Sequence, residues 1–86
     1  MATQIKPATS ILRRKQVEAC TGLARSTIYD RVKSGTFTAP VSLGARAVGW
    51  PSHEIEALNA ARIAGKSDEE IRALVAKLEA ARQTAA

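Results

Sequence analysis

At 86 residues the chain has room for one small domain, because a second hydrophobic core needs on the order of 100 further residues. Hydrophobic residues at 45% and charged residues at 24% exclude a disordered tract, and the only aromatics are Tyr29, Phe37 and Trp50, so aliphatic side chains and alanine-rich helices must carry the fold. The net charge of +5 favours a polyanionic partner, but only weakly while its location is ignored.

Residues 1–10, MATQIKPATS, have no periodicity and contain Pro7, which predicts a flexible N-terminal arm. They also lack a continuous apolar segment of the signal type, and no run in the chain approaches the roughly 18 to 20 apolar residues that cross a bilayer. The expected location is therefore the cytoplasm, with no membrane partner. Ser10 to Arg13 suits a short extended lead-in. From Arg14, Val17 and Cys20 recur three apart and Gly22 stops the pattern, predicting a helix of about two turns with Cys20 as an inert buried thiol. After Leu23 and Ala24, a second short helix is expected around Ile28 and Val32, ending at Gly35, with Ser26 and Thr27 as its caps.

Between Thr36 and Trp50 the apolar residues mostly alternate with small or polar ones, and Pro40, Gly44 and Gly49 punctuate them. Two antiparallel strands with a turn near Gly44 to Ala47 are predicted. Pro51 and Ser52 suit the start of a third helix whose apolar face is marked by Ile55, Leu58 and Ile63 and which ends at Gly65. Ser67-Asp68-Glu69-Glu70 has the spacing of a capping box, and Ile71, Leu74, Val75 and Leu78 give a strongly amphipathic last helix that frays near Thr84 to Ala86.

The positive charge is not spread evenly. Eight Lys/Arg stand against two acids up to Trp50, and five against six beyond it. Such a concentration is what a localised phosphate-binding surface requires, although a solubilising coat of basic residues is the plainer alternative. Two short helices joined by Thr21-Gly22-Leu23-Ala24 suggest a helix-turn-helix, whose second helix can enter the major groove of DNA. With Ile28 and Val32 inward, Ser26, Tyr29, Asp30 and Lys33 share the opposite face.

Arg25 at the edge of that face can donate two hydrogen bonds to guanine, or serve as a phosphate clamp. Ser26 and Thr27 offer hydroxyls for capping, one of them also for a base or phosphate. Tyr29 can bury its ring and leave its hydroxyl for a phosphate, or belong wholly to the core. Arg14 and Lys15 begin the first helix and would position the duplex through its backbone. Arg46 lies between Ala45 and Ala47 in the predicted turn, free to reach a neighbouring groove as a wing contact, or simply solvated.

Enzymatic chemistry has no comparable support. Cys20 is the sole cysteine and His53 the sole histidine, and neither has a sequence-placed catalytic partner; no metal-ligand grouping or phosphate loop is present. No cofactor or metal is expected.

The segment ILRRKQVEACTGLARSTIYDRVKSGTFTAPVSLGARAVGW, followed by PSHEIEAL, resembles the AlpA-like prophage regulatory family. The resemblance runs from about Ile11 to Ala64 and rests on the T-G-L-A-R-S-T-I-Y run, on G-x-F-x-x-P-V-x-L-G from Gly35 to Gly44, and on Arg46 followed by Trp50 and Pro51. It implies a mainly α fold with a small β-hairpin, a winged helix-turn-helix of excisionase and MerR type over residues 11–65; residues 66–86 fall outside the resemblance and are expected, from their own pattern, to form an appended amphipathic helix. The resemblance further implies transcription control on bacterial or prophage DNA, with Ser26, Thr27, Ile28 and Tyr29 opening the recognition helix and Arg46 in the basic turn. Asp30 stands where members often carry a base, which lowers local phosphate affinity or lets it accept from a cytosine amine. Thr38 replaces a frequent proline and Leu58 a frequent tryptophan, both as packing changes.

The expected function is sequence-specific binding of double-stranded DNA by a transcriptional activator, including one that acts by antitermination through RNA polymerase. An excisionase that bends attachment-site DNA beside a recombinase is the alternative on the same surface, and an adaptor for acidic proteins the alternative of another class. The last helix is expected to pack on its own domain or to meet a second copy or another protein.

Overall fold

The computed structural model describes residues 10–84. In chain order they form β1 (Ile11–Leu12), α1 (Arg14–Thr21), α2 (Arg25–Ser34), β2 (Val41–Ser42), β3 (Val48–Pro51), α3 (Ser52–Ile63) and α4 (Asp68–Thr84). The sheet is antiparallel in the order β1-β3-β2, with Leu12 opposite Trp50 and Val41 opposite Gly49. This mainly helical fold with a small sheet is compatible with the expected winged helix-turn-helix. The extended lead-in is itself a strand: Ser52 donates its backbone N–H to the Ser10 carbonyl at 2.7 Å and accepts from the Ser10 N–H through its hydroxyl at 3.0 Å. The expected arm lies outside the described residues except for Ser10, as do Ala85 and Ala86 of the expected frayed end.

Trp50 organises the centre. It is fully buried, its indole N–H donates to the Thr38 carbonyl at 2.8 Å, and the rings of Phe37 and Tyr29 each lie 6.2 Å from it. Val17, Ile28, Ile55 and Leu58 complete this core from α1, α2 and α3. A buried indole with its donor satisfied supplies the apolar area that a chain with three aromatics cannot spread elsewhere. Gly22 makes the turn between α1 and α2 possible: it adopts φ 74°, a left-handed conformation that costs glycine little, and its N–H closes α1 on the Glu18 carbonyl at 2.8 Å. Leu23 then drops onto the core.

The amphipathic last helix packs on the same core. Ile71 and Val75 are buried in it, and Leu74 and Leu78 flank it. Its start is capped as the sequence predicts, with the Ser67 hydroxyl accepting from the Glu70 N–H at 3.2 Å and the Ser67 N–H donating to Glu70 Oε1 at 2.9 Å. The Ser67 backbone bond, then its side-chain bond, hold the Glu70 carboxyl below its ordinary pKa.

Three local expectations are corrected. Cys20 is exposed, because α1 meets the core through a single turn that Val17 fills, and Cys20 is turned about 60° away from it at 100° per residue. Ile63 is 87% exposed: it lies eight residues, about 80° of rotation, beyond Ile55, and the smaller Ala61 packs against the core instead. Ser26 and Thr27 do not cap α2. Arg25 already has helical geometry and Ala24 is the flanking residue, so both hydroxyls stand inside the first turn and the helix start has no side-chain cap.

Two positions near the sheet give stability tests. A methyl group on Gly49 would lie 2.5 Å from Ile11 Cγ2, 3.0 Å from the Leu12 carbonyl oxygen and 3.1 Å from Leu43 Cδ1. The side chains can yield but the paired backbone of β1 cannot without loosening the sheet. Gly49→Ala should therefore lower the unfolding free energy by about 1 to 3 kcal/mol in urea titrations. Thr38 is fully buried, and its hydroxyl has no hydrogen-bond partner among the described residues. Thr38→Val removes that desolvated oxygen at constant shape and is expected to raise stability by about 1 kcal/mol. A clear loss would show that the hydroxyl is satisfied.

Candidate nucleic-acid interface

The basic run Arg13-Arg14-Lys15 enters the site because β1 hands directly to α1. Arg13 is the residue that flanks the start of α1, where the Gln16 side-chain carbonyl accepts from its backbone N–H at 2.8 Å. Its guanidinium Nε reaches across to donate to the Val48 carbonyl of β3 at 3.2 Å, which ties the start of the helix to the base of the hairpin. The hairpin tip is closed by a 2.7 Å bond from the Leu43 N–H to the Ala47 carbonyl, and Arg46 projects from it exposed.

These pieces enclose an open cleft of about 500 Å³ lined by Arg13, Arg14, Lys15, Tyr29, Arg46 and Val48. Four cations thus surround one hydroxyl-bearing ring, and that ring is held in place by Trp50 behind it. The arrangement suits an anionic backbone with one oxygen within reach of a phenol: the cations supply long-range attraction and the wedge between helix and hairpin supplies shape. Lys15 and Arg46 are exposed. Arg14 is half-buried and bonded to Glu18 one turn on, so part of its charge is balanced locally by a partly exposed i,i+4 pair worth only about 0.3 to 0.5 kcal/mol.

Along α2 the expected face is present. Arg25, Ser26, Asp30 and Lys33 are exposed and Tyr29 half-buried, while Ile28 is buried on the opposite side and Val32 packs against the core. Thr27 lies off this face, half-buried and about 110° of rotation from its centre. The structure therefore brings Arg14, Lys15, Tyr29 and Arg46 to one cleft, sets Arg25, Ser26, Asp30 and Lys33 on the adjoining helix face, and separates Thr27 from both. Arg13 was missed by sequence reasoning as a site residue. Its signal was present in the unbroken run of three bases, but its approach to the hairpin depends on a strand pairing between residues about 40 apart.

The sequence model of the family described as prophage CP4-57 regulatory protein (AlpA) matches residues 10–63. This chain belongs to the AlpA prophage regulatory family. The matched span contains the cleft, the face of α2 and the whole sheet, and it ends where α3 ends, leaving α4 beyond it. The family's description is that of a regulatory protein, and the matched span holds the concentration of cations around the cleft. A relative, the uncharacterized protein ORF88 of Enterobacteria phage P4, is 46% identical over 55 residues, which is 64% of this chain and 62% of that protein. The chain thus spans less than two thirds of that relative's length. No solved structure matches. Among the described residues no group of His, Cys, Asp and Glu could hold a metal ion, and no helix is long and apolar enough to cross a membrane.

Proposed function

We propose that this AlpA-family protein binds double-stranded DNA sequence-specifically and regulates prophage transcription. The observation that carries the reading is the cationic cleft between the start of α1 and the hairpin tip, beside the exposed face of α2. In this reading α2 lies in a major groove, and Arg25 donates two N–H groups from one edge of its guanidinium to guanine O6 and N7. Lys33 and Lys15 hold phosphates, and Arg14 exchanges Glu18 for one. The Tyr29 hydroxyl meets a phosphate beside them, and Arg46 reaches the neighbouring groove as the wing. Ser26 contacts a base or a phosphate near the uncapped first turn, whose free N–H groups also favour an anion. Asp30 accepts from a cytosine amine where the site offers one.

The assignment of Arg25 to readout is tested by comparing cognate and random duplexes. Arg25→Ala should cost about 1 to 3 kcal/mol on the cognate site and relax base preference there, whereas Lys33→Ala should weaken every duplex alike. Equal losses on both duplexes for Arg25→Ala would refute the readout role. The regulatory role proposed is activation, including antitermination through RNA polymerase. Transcription from a purified template with polymerase and without any recombinase measures it directly. Stimulation or terminator read-through is expected; DNA bending with no effect on polymerase would instead point to the architectural role of an excisionase.

A further inference from the structure

A second cleft lies behind the recognition helix. Its floor is apolar, formed by Phe37 and Leu58 from the core and by Leu23 from the turn between α1 and α2. Its rim carries two arginines, Arg31 on α2 and Arg62 on α3. Asn59 braces the wall between them by donating from Nδ2 to the Cys20 carbonyl at 3.0 Å.

Three properties decide what such a cleft can take. Its volume, about 230 Å³, falls below the range of about 300 to 1,000 Å³ in which small-molecule ligands are held, but suits one inserted side chain. The Arg31 guanidinium has no hydrogen-bond or ion-pair partner among the described residues, and Arg62 is bonded only to the exposed Asp68, at 3.3 Å, a weak pair that another carboxylate can displace. Arg31 also lies about 150° around α2 from the centre of the face formed by Ser26, Tyr29, Asp30 and Lys33, so the cleft opens away from that face.

We propose that this cleft is a docking site for an acidic segment of a partner protein, which inserts one apolar side chain against Leu23, Phe37 and Leu58 and sets flanking carboxylates on Arg31 and Arg62. A buried apolar anchor in a pocket is the usual energetic centre of an interface, and its polar rim, here the two arginines, selects the partner. The chain's own residues 1–9, MATQIKPAT, carry Lys6 and no acidic side chain, so they do not complement the two arginines. The site lies apart from the surface assigned to DNA, and its test needs no DNA.

The experiment is an amide-resolved NMR titration of the full chain with a capped acidic hexapeptide, EDLWDE, and with its charge-reversed counterpart, KKLWKK. Saturable shifts at Leu23, Arg31, Phe37, Asn59 and Arg62 are expected with the acidic peptide alone. Arg31→Glu should weaken binding about tenfold or more, and Leu58→Trp, which extends into the cleft, should abolish it. Should Leu58→Trp fail to fold, Arg31→Glu, a change at the half-buried rim and not in the core, decides. No saturable shift at millimolar peptide overturns the proposal. So do shifts centred on Lys15, Tyr29 and Arg46, which would make the peptide a mimic of DNA, and shifts of the Arg31 cleft by a short duplex, which would make it a nucleic-acid site. Concentration-dependent sedimentation of the protein alone that Arg31→Glu removes would assign the cleft to a second copy and likewise refute the acidic partner.

Discussion

Arg82→Met is expected to lower the unfolding free energy by about 3 to 5 kcal/mol. Glu54, in the first turn of α3, is fully buried, and Arg82, near the end of α4, donates to both of its carboxylate oxygens at 2.7 and 2.8 Å. The same guanidinium donates to the Ala39 carbonyl at 2.7 Å, and Glu79 accepts from the Ala39 N–H at 2.8 Å. One cation therefore joins α3, α4 and the segment leading to the hairpin. Removing it strands a carboxylate with no water to solvate it, which is why the loss exceeds that of an ordinary ion pair.

The hydrogen bonds that Arg82 donates to Glu54 push the Arg82 pKa above its ordinary value. A cation whose folded pKa is raised contributes its stabilisation at every pH below the unfolded value, so the effect should be undiminished across the neutral range. Replacing both partners, with Glu54→Leu and Arg82→Met together, should recover most of the loss, because two apolar side chains of similar size need no counter-charge. Urea titrations of the two single variants and the double variant complete the cycle. A single-variant loss under about 1 kcal/mol would show that water reaches Glu54.

The second large effect concerns DNA. With about five phosphate contacts, the logarithm of affinity should fall against the logarithm of salt concentration with a slope of about −4.5. Replacing Arg13, Lys15 and Arg46 together by alanine removes the three cations around the cleft that have no carboxylate partner among the described residues. The slope should then flatten to about −1.8, and affinity at about 0.15 M salt should drop by about two orders of magnitude on cognate and random duplexes alike. Lys15 and Arg46 are exposed, and Arg13 gives up only its exposed 3.2 Å bond to the Val48 carbonyl, a loss of about 1 kcal/mol, so a thermal melt of the variant separates lost contacts from lost folding. An unchanged slope would remove the cleft from the DNA surface.

Much of the chain's organisation was legible because it is local. Gly22 and Gly35 end α1 and α2 where the residue pattern predicts, since left-handed helix ends favour glycine whatever lies around them. The Ser67–Glu70 box and the Ile71, Leu74, Val75, Leu78 stripe behave as expected for the same reason. The errors fall where spacing is ambiguous over short elements. In a two-turn helix, Val17 and Cys20 read as one face although only Val17 reaches the core, and Ile63 looks like part of a stripe until the rotation of α3 turns it outward. The start of α2 falls at least two residues earlier than capping by Ser26 or Thr27 would place it, since Ala24 is the flanking residue directly after Leu23, which packs against the core.

The amino-acid order alone established the helical class, the turn between the first two helices, the concentration of cations before Trp50 and the family motif, because propensity, periodicity and net charge act over a few residues at a time. Tertiary structure alone decided that Arg13 reaches Val48, that four cations converge around Tyr29, that Arg82 neutralises Glu54 28 residues away, and that a second cleft opens behind α2. Each of these depends on how distant elements pack, and no local pattern encodes the distance between side chains that only a shared core brings together.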